Sequence, residues 1–311
     1  MRLLITGASG FVGRAIVRNC VANGHDVRAL VRRDDHGFNS PVEVVRTGDL
    51  TREDVSPDAL EGCDVVVNCA ARVHVTRETE ADPEAAYRAA NRDLPVRLLN
   101  QAADCGVSRF VQLSSVAAVT SVTPPGRPVD DSAEPRPRSP YGRSKLEADL
   151  RLAEVGRERG IAVVSLRPPT VFGPGVGAYF RMLMRCAKFG LPLPLGSVRN
   201  RRSFIFSENL ADAVVTAAGA SGEGTFIVTD SPPISTGQLY RSLLRLLGRP
   251  AFVPPVPAVL VRRASQFVLG DRVESLIGDS AFDGSRFRET FDWSPPVSFE
   301  RALEITVGGS S

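Results

Sequence analysis

Short apolar runs alternate with longer amphipathic segments along the first half of the chain. The pattern predicts strands over 3–5, 26–31, 42–45, 64–69, 109–113 and 161–166. It predicts helices over 11–23, 52–61, 83–104 and 140–159. The strands are continuously apolar rather than alternating, which is typical of a parallel sheet covered by helices on both faces. We therefore expect an α/β protein with a doubly wound parallel sheet.

The pattern changes after residue 174, where proline and glycine become frequent. Shorter helices are predicted over 178–189, 208–219, 236–247 and 256–269, with a strand over 225–228. We expect a sheet domain over 1–174, to which residues 203–230 return. A smaller C-terminal α+β lobe is expected over 175–202 and 231–311.

Composition limits the class of protein. The 311 residues are 43% hydrophobic and 23% charged, with a net charge of +3, which indicates a soluble globular chain and no nucleic-acid partner. The five cysteines form no C-x-x-C pair, so we expect no disulfide framework and no metal site. Apolar stretches are too short for a membrane span, and the N-terminal run is too short for a signal peptide. We expect a cytoplasmic protein.

The chain carries a glycine pattern, G-x-x-G-x-x-G, between its first predicted strand and helix. The glycines are Gly7, Gly10 and Gly13, and Phe11 and Val12 open the helix. Glycines let a backbone approach a pyrophosphate, and the helix N-terminus offers free N–H groups to it. These five residues predict a Rossmann-type dinucleotide site.

The end of the second strand distinguishes NAD from NADP. Where an acidic residue would bind the ribose hydroxyls of NAD, the chain has Val31, followed by Arg32 and Arg33. An arginine pair suits a 2′-phosphate, so NADP is favoured and NAD remains possible. In the alternative, both arginines are solvated and Asp34 or Asp35 binds the ribose. Asp49 and Leu50 are expected beside the adenine.

Three residues suggest hydride-transfer chemistry. Tyr141 and Lys145 lie four apart on one predicted helix and therefore share a face. A phenol can exchange a proton with an alcohol if nearby positive charge lowers its pKa. Ser115 ends the fifth strand at the ligand-binding edge of the sheet, where its hydroxyl can bind the same oxygen. We expect these three residues to be catalytic.

Taken together, these motifs resemble the extended short-chain dehydrogenase/reductase family, in its nucleotide-sugar epimerase/dehydratase/reductase branch. The motifs are TGASGFVG at 6–13, NCAA at 68–71, LSS at 113–115, PYGRSK at 140–145, LRPPTVFGPG at 166–175 and NRRSFI at 200–205. The resemblance implies a cofactor contact with Cys69, Ala70, Ala71, Tyr141, Lys145, Pro168 and Thr170. It implies substrate contacts with Ser115, Thr170, Tyr179, Phe180, Leu193 and Leu195, and places the substrate diphosphate on Arg202. It also implies a homodimer formed through helices near 83–104 and 140–159.

Within this branch the residues after Ser115 narrow the choice. Family dehydratases have an Asp-Glu pair there, whereas this chain has Val116-Ala117, so a dehydratase is not expected. The pattern is most similar to bacterial UDP-sugar 4-epimerases and to 4-ketoreductases of the UDP-N-acetylquinovosamine type, which make surface-polysaccharide sugars. The NADP prediction favours a 4-keto UDP-sugar reductase over an epimerase with retained cofactor. An NADP-dependent reductase of a non-nucleotide ketone and a scaffold without turnover are further alternatives.

Overall fold

The fold is described from a computed structural model. The structure describes residues 1–33, 37–73, 80–257, 259–263 and 277–309, without the side chains of Ala178 and Tyr179. The helix predicted over 256–269 lies partly outside this range, and its residues 259–263 are helical.

Nine strands within the described residues form two parallel sheets. They are β1 (Arg2–Thr6), β2 (Asp26–Val31), β3 (Glu43–Arg46), β4 (Val65–Asn68), β5 (Arg109–Leu113), β6 (Ala162–Arg167), β7 (Thr170–Phe172), β8 (Phe204–Phe206) and β9 (Gly224–Ile227). The main sheet has the order β3-β2-β1-β4-β5-β6-β9, and β7 pairs with β8 separately. The order reverses between β1 and β4, so a ligand crevice is expected beyond the carboxyl ends of these strands. The predicted Rossmann-type α/β fold is confirmed.

Helices cover both faces of the main sheet and build the C-terminal lobe. They are α1 (Phe11–Ala22), α2 (Pro57–Leu60), α3 (Pro83–Arg88), α4 (Leu94–Asp104), α5 (Pro140–Arg159), α6 (Ala178–Lys188), α7 (Ser207–Gly219), α8 (Thr236–Leu246), α9 (Ser285–Phe291) and α10 (Phe299–Gly308). A π-helical segment, Ala89–Asp93, joins α3 to α4, and a 3₁₀ turn covers Val116–Ala118. None of these helices is long and apolar enough to cross a bilayer.

The prediction of a helix over 52–61 is wrong for the first half of that range. Only α2 forms, because Ser56 adopts an extended conformation and Pro57 starts the helix there. Residues 49–53 instead make a turn in which the Asp49 carbonyl accepts from the N–H groups of Arg52 and Glu53.

Strand pleating explains the continuous apolar runs. Leu3 and Ile5 point to a core shared with α1 and α7, whereas Leu4 points to a second core shared with α4 and α5. Both faces of the sheet are thus buried, as the pattern indicated. A third core in the C-terminal lobe packs α6, α8 and α10 around Phe172 and Phe204.

Candidate active site

The glycine turn lies between β1 and the start of α1. Gly7 has φ +62°, and a Cβ there would lie 2.7 Å from the Ala70 nitrogen, while a Cβ at Gly13 would lie 2.2 Å from the Gly7 oxygen. The turn is closed by Gly10 N–H, which donates to the Gly7 carbonyl at 2.9 Å. Helix α1 has no side-chain cap and no acidic residue in its first turn. Its N-terminus therefore fits a pyrophosphate, which would accept from these N–H groups.

The end of β2 presents the residues expected to select the cofactor. Val31 is buried, whereas Arg32 and Arg33 are exposed. Hydrogen bonds from Thr51, and then the charge of Arg32, hold the pKa of Asp49 below its usual range. Asp49 and Arg32 therefore lie near each other, and Leu50 beside them is buried. The alternative ribose ligands Asp34 and Asp35 fall outside the described residues.

A buried row of hydrogen bonds crosses the carboxyl ends of β1, β4 and β5. Thr6 Oγ1 donates to Asn68 Oδ1 at 2.5 Å, and Asn68 Nδ2 donates to Gln112 Oε1 at 2.8 Å. Gln112 Nε2 then donates to the Leu113 carbonyl at 3.1 Å. All three side chains are fully buried, so each bond avoids an unsatisfied polar group. The row therefore connects β1, which leads into the glycine turn, with β5, which leads to Ser115.

Lys145 meets the end of this row. Its Nζ donates to the same Leu113 carbonyl at 2.7 Å, and the residue is only 1% exposed. Burial lowers the pKa of Lys145 to about 8, against the opposing effect of the Asp149 charge. The amine is thus held at a fixed point beneath the carboxyl edge of β5.

Tyr141 lies in the first turn of α5, and Ser115 lies opposite it, just after β5. Ser139 caps this helix by accepting from Gly142 N–H at 3.0 Å, and a Cβ at Gly142 would lie 2.3 Å from the Ala117 oxygen. This close approach brings the Tyr141 phenol to the Ser115 hydroxyl, with which it shares a hydrogen bond. The ring of Tyr87 packs edge-on against Tyr141, with centroids 6.2 Å apart.

The expected acidification of Tyr141 is not present in the protein alone. Burial raises the pKa of its phenol to about 12, and the Ser115 hydrogen bond only partly opposes this effect. Without further positive charge the phenol is therefore neutral and can act as a proton donor.

Asp149 and Arg167 form an ion pair that the sequence analysis did not identify. Asp149 Oδ2 accepts from Arg167 Nε and from Ser114 Oγ, both at 2.8 Å. Burial raises the pKa of Asp149, and the guanidinium opposes that shift. The carboxylate lies one helical turn after Lys145, so the spacing of four residues was the available signal.

Asn91 was also missed. Its side chain accepts from Arg72 N–H at 2.9 Å and donates to the Arg72 carbonyl at 3.0 Å. It donates further to Ser144 Oγ at 3.0 Å, and Ser144 donates to the Tyr141 carbonyl. The π-helical segment thus joins the chain after β4 to α5, the helix that carries Tyr141 and Lys145.

The remaining predicted cofactor contacts lie at the same edge of the sheet. Cys69 and Ala70 are half-buried and Ala71 is exposed just after β4. Pro168, whose carbonyl accepts from Val116 N–H, is buried after β6, and the half-buried Thr170 begins β7.

The predicted substrate residues of the C-terminal lobe differ in how far their side chains are exposed. Arg202 is buried, and its Nη1 donates to the Gly278 carbonyl at 3.2 Å. Leu193 is half-buried. Phe180 and Leu195 are 1% and 2% exposed within the lobe core, so they offer no surface to a ligand in this structure. The side chain of Tyr179 lies outside the described part of the chain.

Comparison with known proteins identifies the family. Residues 3–228 match the NAD dependent epimerase/dehydratase family. A UDP-glucose 4-epimerase of Vibrio cholerae is 34% identical over 98% of this chain and 94% of its own. A 3-diazoavenalumate denitrifying reductase of Streptomyces is 29% identical over 95% of this chain and 96% of its own. The crystal structure of Thermus thermophilus UDP-glucose 4-epimerase with NAD superposes with a TM-score of 0.78 at 23% identity. The superposition covers 99% of this chain and 98% of that one.

These matches cover nearly the whole chain, and they agree with the motifs. The protein belongs to the NAD dependent epimerase/dehydratase family, within the extended short-chain dehydrogenase/reductases. It is an enzyme of that class.

Proposed function

We propose that the protein transfers hydride at carbon 4 of a UDP-hexose and works as an NADPH-dependent reductase of a 4-keto UDP-sugar. The observation that carries this proposal is the hydrogen-bonded pair Ser115–Tyr141 beside the buried Lys145, at the crevice edge that also holds the glycine turn. The relation to the Vibrio cholerae enzyme supports the UDP-sugar and the position on its ring.

The residues divide the chemistry as follows. When bound, the reduced nicotinamide would supply the hydride. Ser115 and Tyr141 bind the oxygen on carbon 4, and Tyr141 donates a proton to that oxygen as the ketone is reduced. Lys145 stays fixed by the Leu113 carbonyl, and it would bind the ribose of a bound nicotinamide and contribute positive charge there. Arg202 binds the diphosphate once its guanidinium exchanges the Gly278 carbonyl for phosphate oxygens.

The choice of NADP depends on the end of β2. Arg32, which is exposed next to the buried Val31, offers a guanidinium to the adenosine ribose and its 2′-phosphate. Replacing Arg32 by Ala should weaken NADPH binding at least tenfold and leave NADH binding nearly unchanged. An equal loss for both cofactors in a fluorescence titration would count against NADP.

A UDP-hexose 4-epimerase is the second candidate, favoured by the name of the Vibrio cholerae relative. The two activities use the same groups and differ in the fate of the cofactor. A reductase consumes NADPH stoichiometrically, whereas an epimerase returns its hydride to the sugar and keeps its cofactor.

A reductase of a non-nucleotide ketone is a third candidate, because a quinoline-oxide ketoreductase of Stigmatella aurantiaca is 27% identical over 85% of this chain. Such an enzyme has no use for a diphosphate site at Arg202. UDP should therefore raise the melting temperature of the protein if the substrate is a UDP-sugar, and should have no effect otherwise.

One screen tests the proposal as a whole. UDP-sugars and 4-keto UDP-sugars are incubated with NADPH or NADH, and the products are identified by mass spectrometry and NMR. The proposal predicts a 4-hydroxy UDP-sugar formed from the 4-keto compound with NADPH. Interconversion of C4 epimers without net cofactor use would identify the epimerase instead.

We also propose a homodimer formed through α4 and α5. These helices pack side by side, and the groove between them exposes Leu150 at 65% next to Val96. Salt bridges such as Arg92–Glu147 flank this apolar spot. Leu150→Glu should convert the dimer to a monomer in analytical ultracentrifugation, whereas Arg157→Glu near the end of α5 should not.

A further inference from the structure

The mild net charge of the chain conceals a strong segregation of charge. Residues 171–200 contain four basic and no acidic residues, and residues 231–270 contain five basic and no acidic residues. The net charge of the whole chain is only +3, so the remaining residues together are negative. Charge separated in this way creates a local positive field even when the total is small.

The fold brings the described parts of the two acid-free segments together. Helices α6 and α8 share the lobe core through Leu183 and Leu243. Tyr240 Oη of α8 donates to the Leu191 carbonyl, just after α6, at 2.6 Å, and a Cβ at Gly190 would lie 3.8 Å from the Arg249 side chain. The chain after α8 stays on the same core, which includes Val253 and Val261.

One surface results, which we call the basic lobe face. Its members are exposed and lie on the outer side of α6, at the end of α8 and in the segment that follows: Arg181, Arg185, Lys188, Phe189, Leu191, Arg245, Arg249, Phe252, Val259, Leu260 and Arg263. Among the residues that the structure describes, Arg181, Arg185 and Lys188 form no ion pair.

Helix stability accounts for only part of this composition. Arg185 and Lys188 lie in the last turn of α6, where positive charge favours the helix dipole. That effect does not explain the basic residues outside the last turns, nor the lack of acidic residues within the two segments.

Apolar side chains stand among these charges. Phe189 is 69% exposed, Phe252 is 64% exposed, and Val259 and Leu260 are 58% and 53% exposed. Large apolar side chains exposed among basic ones are typical of an interaction surface. Basic residues around protruding aromatic and aliphatic side chains are the composition that binds the interface of an anionic bilayer.

We propose that the basic lobe face docks the protein on the surface of an anionic lipid bilayer. The arginines and lysine contact lipid phosphates, and Phe189, Phe252 and their aliphatic neighbours enter the boundary between headgroups and acyl chains. A nucleic acid would also attract the charges, but it offers no apolar phase for Val259 and Leu260. The bilayer is therefore the partner that uses both features of this face.

Vesicle sedimentation of the full-length protein tests the proposal. Vesicles of pure phosphatidylcholine are compared with vesicles that contain about 30% phosphatidylglycerol, at about 50 mM and about 500 mM salt.

The basic variant carries R181Q, R185Q and K188Q, and the apolar variant carries F189S and F252S. The matched control, R18Q with R157Q and R301Q, removes the same charge from exposed positions elsewhere. Thermal melting confirms that each variant is folded.

The expected result is binding to the phosphatidylglycerol vesicles only, weakened by high salt. Each basic side chain lost from α6 should lower the partition coefficient about fivefold, whereas the control should leave it nearly unchanged. The apolar variant should bind more weakly at both salt concentrations. No binding to anionic vesicles, equal loss in the control, or binding to single-stranded DNA but not to vesicles would overturn the proposal.

Discussion

Asp149 of α5 and Arg167, the last residue of β6, form an ion pair that is 2.8 Å long. Their side chains are 1% and 8% exposed, and Ser114 donates to the same carboxylate oxygen. Lys145 lies one turn earlier on α5, and the Asp149 charge raises its pKa against the effect of burial. The pair therefore places a negative charge where it keeps the buried amine protonated.

Replacement of Asp149 by Asn should change both activity and stability. Without the carboxylate, the pKa of Lys145 falls below its value of about 8, so the alkaline limb of the pH–rate profile moves to lower pH. The free energy of unfolding should drop by about 3–5 kcal/mol, because Arg167 is left buried without its partner. The pH dependence of kcat and urea denaturation check these two effects.

The double variant Asp149→Leu with Arg167→Met separates the two roles. It should recover most of the stability, since a buried pair replaced by apolar groups is close to neutral, but it should not recover activity at high pH. Full recovery of both would mean that Asp149 has only a structural role.

Tyr141→Phe should lower kcat by about 10²–10⁴-fold while the substrate still binds, because the variant lacks the proton donor. Tyr240→Phe is the matched control: it also loses one hydroxyl, which donates to the Leu191 carbonyl in the C-terminal lobe. Steady-state kinetics should show near-normal turnover for the control. Similar kcat values in the two variants would remove Tyr141 from the mechanism.

Gly7→Ala and Gly24→Ala differ in their surroundings, although both residues have positive φ, +62° and +73°. A methyl at Gly7 meets the Cys69–Ala70 backbone, whereas nothing lies within 4 Å of a methyl at Gly24. We expect Gly24→Ala to cost about 1 kcal/mol through backbone strain alone. Gly7→Ala should cost clearly more and should abolish dinucleotide binding, as measured by denaturation and cofactor titration. Equal costs would contradict the close approach at Gly7.

Asp131→Asn should stabilise the protein more at neutral pH than at acid pH. Burial raises the pKa of Asp131 to about 6, although its Oδ1 accepts from Ile227 N–H at 2.7 Å. The folded state therefore binds the proton more tightly than the unfolded state, and this residue's contribution to stability is lost as the pH rises through about 6. Because Asn stays neutral, its advantage over Asp should be about 1–2 kcal/mol larger at about pH 7 than at about pH 4.5. Thermal unfolding at the two pH values provides the measurement, and a pH-independent difference would contradict it.

The sequence was most informative where one local pattern determines the structure. Continuous apolar strands such as Val65–Val67 predicted the parallel sheet, because both pleated faces are buried. The glycine turn could be predicted because it depends only on the adjoining elements, β1 and α1. Tyr141 and Lys145 share a helix, so their common face followed from the helical repeat.

Features that depend on long-range packing could not be predicted in this way. Asp149 pairs with Arg167 across two elements, and Asn91 joins Arg72 to Ser144. The burial of Phe180 depends on its stacking against Phe172, which no local pattern shows. The lowered pKa of Tyr141 was predicted from two positive charges, that of Lys145 and that of a bound nicotinamide, whereas in the protein alone burial dominates.

The central claim, hydride transfer at carbon 4 of a UDP-hexose, is tested most directly with deuterated cofactor. The protein is incubated with a 4-keto UDP-hexose and NADPH carrying deuterium at the transferable position of the nicotinamide, and the product is examined by NMR. The account predicts one deuterium, located on carbon 4 of the sugar in a single configuration. A product with deuterium at another carbon, or a 4-keto sugar that stays unreduced while a non-nucleotide ketone is labelled, would contradict it.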